Sequence, residues 1–167
     1  MERKGNSILI TLPDSICFFI RELCTKYSKI SEMWWLGSRA NDFNVRPGSD
    51  WDFLAFAGES AFSKISLDKE LEKNAIKLGI DLLVEKENGI FRSVWGAAKS
   101  LKLKDDLKWQ AISEAKAKYW ASKLIERQPE DQLFQDEWQK EFVEHGADAF
   151  SQDVSTWMCA KRVWPPT

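Results

Sequence analysis

Histidine is almost missing from this chain: His145 is the only one in 167 residues. That excludes a metal cluster built on imidazoles, and a catalytic role for His145 would need a partner that the sequence does not supply, so it reads as a solvated or packed helix residue. Cysteine is scarce and odd in number, with only Cys17, Cys24 and Cys159. The first two share one face of a predicted helix, a core spacing that supports neither a disulfide framework nor a zinc site. No apolar run reaches the ~18 residues that a membrane span requires, and the apolar stretch near Met1 is too short for a signal peptide. The expected location is therefore the cytoplasm, with no membrane partner. A charge excess is also lacking: the net charge is −2, and Lys and Arg balance Asp and Glu over residues 1–100. A nonspecific polynucleotide binder normally carries a basic face, so the balance argues against a long nucleic acid as partner, without excluding a local basic groove.

What is present is ordinary globular material, 44% hydrophobic and 30% charged, enough for one domain with a core or for a compact domain with an extension. Nine tryptophans point to a large aromatic core. Ile16, Phe19, Ile20, Leu23, Cys24 and Tyr27 recur at three- and four-residue spacing and predict a helix over residues 13–29, with Pro13 in its first turn. Met33 to Leu36 reads as a short buried strand ending at Gly37, residues 37–49 as a loop, and residues 50–57 as a second strand. After a connection over 58–66, a helix over 67–78 is closed by Gly79, and residues 80–86 form a third strand followed by a turn at 87–89. This order predicts an α/β (α+β) fold, a small mixed sheet with helices on one side. Beyond about residue 95, residues 109–127 and 130–150 carry apolar stripes at helical spacing and predict a C-terminal helical extension. The tail around Trp164 is expected to fray or to dock through its tryptophans.

The informative stretch runs from Leu36-Gly37-Ser38-Arg39 to Ser49-Asp50-Trp51-Asp52-Phe53. Residues two apart on a strand point to the same face, so Asp50 and Asp52 aim their carboxylates together while Trp51 and Phe53 turn to the core. Such a pair repels itself unless a cation lies between, and a hard divalent ion suits it. Asp81, on the next strand, can complete the set, and three carboxylates so placed can hold two ions of the kind used in phosphoryl transfer. Gly37 permits close backbone approach to a phosphate, and Ser38 adds a hydroxyl and an amide. Arg39 and Arg46 are available to neutralise phosphate charge.

Gly37-Ser38 followed after eleven residues by Asp50-x-Asp52, with a later strand aspartate, resembles the signature of the DNA polymerase beta-like nucleotidyltransferase superfamily, in particular its minimal, MNT-type bacterial branch. The resemblance covers residues 13–86. It implies that Asp50, Asp52 and Asp81 are catalytic and bind metal, two Mg2+ ions or Mn2+ in their place, with Asp81 also the base for the acceptor hydroxyl. It implies that Gly37 and Ser38, with Arg39 beside them, hold the triphosphate. On this reading residues 1–97 form a nucleotidyltransferase domain and 98–167 a helical extension packed on it. The implied function is metal-dependent transfer of a nucleoside monophosphate, AMP from ATP, to a hydroxyl of a protein or small-molecule acceptor. The alternatives are an antitoxin-like module that binds a partner protein and an aminoglycoside-type small-molecule nucleotidyltransferase.

Overall fold

Helix α1 (Asp14–Lys26) forms where the apolar stripe predicts it, with Ile16, Phe19, Ile20, Leu23 and Cys24 buried on one side. The computed structural model describes residues 12–41, 50–96, 100–121 and 157–166. Strand β1 (Ile30–Leu36) starts three residues earlier than its apolar run, because Ile30 is buried and already pairs with Ala57. A single helical turn, α2 (Gly37–Ala40), stands at the head of the segment expected to be loop. Strand β2 (Trp51–Ala57) follows, then α3 (Ala61–Ser66) inside the expected connection, and α4 (Lys69–Leu78). The carboxylate of Asp68 caps α4 by accepting from the Leu71 amide, and Gly79 ends it at φ +73°, a left-handed geometry that glycine adopts without strain.

Strand β3 (Ile80–Glu87) leaves directly from that cap, and a turn leads into β4 (Ile90–Ser93). The described chain continues through β5 (Ser100–Lys102), β6 (Gln110–Ala111), β7 (Lys116–Trp120) and β8 (Trp157–Trp164). All eight strands belong to one sheet in the order β5-β4-β3-β2-β1-β8-β7-β6. Only β2 and β3 run parallel, and α3 and α4 supply the crossover that a parallel pair demands. Mixed strand directions and helices on one side agree with the expected α+β architecture.

Two apolar layers flank the sheet. On one side α1, α3 and α4 pack on Met33, Trp35, Phe53, Ala55, Leu82 and Val84. On the other side Trp34, Leu36, Leu54, Leu83 and Phe91 meet Leu101, Leu107, Tyr119, Met158 and Ala160. That second layer has no described helix, and the sheet covers it by curling. Laid flat, eight strands would separate β5 from β6 by about 34 Å at ~4.8 Å per step. Yet the Trp109 amide donates to the Leu103 carbonyl at 3.1 Å and the Trp120 amide to the Leu107 carbonyl at 2.6 Å, so the β5–β6 connection brings the two edges together.

The helix expected from Trp109 is corrected over its described part. Residues 110–111 and 116–120 are strands, because Ala117, Tyr119 and Ala121 are fully buried while Lys116 and Lys118 are not, a period of two that overrides the sparser helical stripe. Strands from either side of residue 97 therefore share one sheet. The expected tail is likewise a strand, with Trp164 at its end packed against the helix-side core. The rest of the helix over 109–127, the helix over 130–150, Arg46 and His145 lie outside the described residues.

Candidate active site

Register brings the acidic residues together. Asp52 lies opposite Leu36 on β1 and beside Asp81 on the parallel β3, and Asp50 precedes it on the same strand face. One carboxylate oxygen from each of Asp50, Asp52 and Asp81 lies within 4.8 Å of the others. Asp50 is exposed, and Asp52 and Asp81 are half-buried. The Ser93 hydroxyl, on β4, donates to Oδ1 of Asp81 at 3.4 Å, adding a third strand to the site.

Gly37 abuts this cluster and explains its own identity. Its φ is +85°, and a Cβ there would collide with the Asp52 carboxylate, so any side chain would push that carboxylate out of place. The Gly37 amide donates to the buried Tyr119 hydroxyl at 2.8 Å. Burial, then the nearby Asp52 charge, push the Tyr119 phenol well above its ordinary range despite the Gly37 hydrogen bond, so it stays neutral. Asn41 fixes the other end of the turn. Its side-chain amide donates to the carbonyls of Gly37 at 2.8 Å and Cys159 at 3.0 Å, and its oxygen accepts from the Cys159 amide at 2.8 Å. The Gly37–Ser38 turn is thus held by β7 and β8 as well as by its own helix. Ser38 is half-buried there, and the Arg39 guanidinium stacks 4.2 Å over the Trp51 ring.

A cleft of about 290 Å3 opens beside the acids, with Asp50, Asp81 and Ser93 on its polar side and Ile76, Leu82 and Trp95 on its apolar side. The Trp95 indole is fixed by donating to the Ile65 carbonyl at 2.9 Å.

The described residues singled out in the sequence, Gly37, Ser38, Arg39, Asp50, Asp52 and Asp81, fall at one end of the sheet, on α2, just before and on β2, and on β3. Reading along the sequence missed Tyr119, Asn41 and Ser93. The signal for Tyr119 was the alternation in Lys116-Ala117-Lys118-Tyr119-Trp120-Ala121, whose inward set is small and aromatic.

The donor set is three carboxylates and a nearby hydroxyl, all oxygen, which fits a hard divalent ion such as Mg2+ or Mn2+ and does not suit a soft one. No family model, curated protein or solved structure matches the chain.

Proposed function

We propose that this protein is a metal-dependent nucleotidyltransferase that moves a nucleoside monophosphate, AMP from ATP, onto a hydroxyl of a protein or small-molecule acceptor. The observation that carries the reading is the convergence of Asp50, Asp52 and Asp81 to within 4.8 Å beside the Gly37–Ser38 turn. Carboxylates so close repel one another unless positive charge lies between them, which makes the cluster a seat suited to a divalent ion. When bound, divalent ions neutralise the triphosphate and stabilise the charge on the attacking and leaving oxygens.

The chain's own residues would do the rest. Asp50, Asp52 and Asp81 hold the metal, and Ser38 and Arg39 orient the triphosphate. Asp81 takes the proton of the acceptor hydroxyl, its carboxylate oriented by the Ser93 hydroxyl. The acceptor oxygen bonds to the α-phosphorus, the bond from that phosphorus to the α–β bridging oxygen breaks, and pyrophosphate leaves. The cleft next to Asp50 and Asp81 offers the acceptor a place to sit. Catalysis is then mainly positioning and electrostatic stabilisation.

Pyrophosphate release from ATP and Mg2+ tests this directly. Asp52→Ala, checked by circular dichroism to be folded, is expected to lose activity by at least about a hundredfold. Turnover retained in that variant removes the proposal.

A further inference from the structure

Strands β7 and β8 carry a concentration of positive charge that the whole-chain balance conceals. Lys116–Trp120 and Trp157–Trp164 together contain Lys116, Lys118, Lys161 and Arg162 and no Asp or Glu. Lys116 lies directly opposite Lys161, and Lys118 opposite Cys159, so the three lysines share one face of the ribbon. Directly opposed like charges destabilise a strand pair.

Aromatic rings lie among these lysines. Lys118 sits 4.8 Å from the Trp157 ring, Trp157 meets Trp120 edge to face at 5.2 Å, and Trp157 is 40% exposed. Lys161 lies 5.4 Å from the ring of Trp35, whose indole N–H is buried and has no hydrogen-bond partner among the described residues. A buried donor normally finds an acceptor, and the described residues offer this one none.

We propose that this ribbon binds the phosphate backbone of a single-stranded nucleic acid, with Trp157 as a platform for a base. The spacing suits it: Lys116 and Lys118, two residues apart, stand about 7 Å apart, twice the ~3.4 Å axial step between phosphates in a stacked strand. The exposed tryptophan favours a nucleic acid over an acidic peptide, because a peptide would need the cations alone while a base gains from the ring. The Asn41–Cys159 hydrogen bonds tie the ribbon to the Gly37–Ser38 turn. Binding does not depend on nucleotidyl transfer and would persist with the three aspartates removed.

The test is fluorescence anisotropy with a labelled oligo(dT) of about 15 nucleotides between about 50 and 200 mM salt. The expected log–log salt slope is about −2, from about −0.7 for each of three phosphates. Lys116→Gln/Lys118→Gln/Lys161→Gln is expected to weaken binding at least about tenfold and to flatten that slope, and Trp157→Ala to weaken it about tenfold with the slope unchanged. Lys116→Gln alone removes a like-charge pair, so it keeps the fold while losing about one third of the slope. The proposal is overturned if wild-type protein leaves the oligonucleotide free at 50 mM salt. It is equally overturned if the triple variant binds as wild type does, or if polyglutamate of the same length displaces the strand as well as unlabelled oligo(dT) does.

Discussion

At the scale of the residue, Gly37 is the point on which the site turns. Its left-handed φ and its contact with the Asp52 carboxylate leave no room for a β-carbon. Gly37→Ala is expected to cost about 1–3 kcal/mol, read as a lower midpoint in denaturant unfolding, and to displace Asp52 enough to weaken Mg2+ binding. Tyr119→Phe takes the acceptor from the buried Gly37 amide, which costs about 1–3 kcal/mol for an unsatisfied donor. The same unfolding experiment reads it, and wild-type stability in that variant would show that the hydrogen bond at 2.8 Å contributes nothing. The acids were legible in the sequence because strand alternation is local: Asp50 and Asp52 needed only a period of two. Tyr119 was not, because its partner stands 82 positions away and only the closing of the sheet brings them together.

At the scale of the element, Asp68 ties two helices. It caps α4 through the Leu71 amide, accepts the Tyr27 hydroxyl at 2.6 Å and pairs with Lys26 at 2.8 Å, joining the end of α1 to the start of α4. Burial pushes its carboxyl up, but the hydrogen bonds from Lys26, Tyr27 and Leu71 outweigh that and hold it down at about 2. An acid whose folded value lies below its unfolded value of about 3.9 stabilises the fold fully above that unfolded value. The contribution fades as the pH falls from about 5 towards 2. Asp68→Asn keeps a capping oxygen but loses the charge that Lys26 and Tyr27 engage, so it is expected to lower stability at neutral pH by about 1–3 kcal/mol, the worth of hydrogen bonds to a charged group, and to flatten the acid limb of the stability profile over that window. Urea unfolding from pH 7 to pH 2 measures both, and parallel curves for the two proteins would contradict it. The stripe of α1 and the Gly79 cap of α4 were readable in advance, since both depend on residues within a turn or two. β6 and β7 were not. Ile112, Tyr119 and Trp120 fit a helical stripe as easily as a strand, and long-range pairing to Met158 and Ala160 decided between them.

At the scale of the whole molecule, one curled sheet does two jobs. Its curl buries an apolar layer that no described helix covers, and it carries β7 and β8 to the back of the Gly37–Ser38 turn, so the far end of the chain supports the candidate site. Average charge misleads at this scale, because a net −2 coexists with a strand pair holding four basic residues and no acid. The central claim is that the three aspartates hold a divalent ion together with a nucleoside triphosphate. Calorimetry of ATP with and without Mg2+, on wild-type protein and on Asp50→Ala/Asp52→Ala, tests it most directly. The account predicts binding that requires Mg2+ and disappears in the double variant. Absence of binding to the wild type, or equal binding by both proteins, would contradict it.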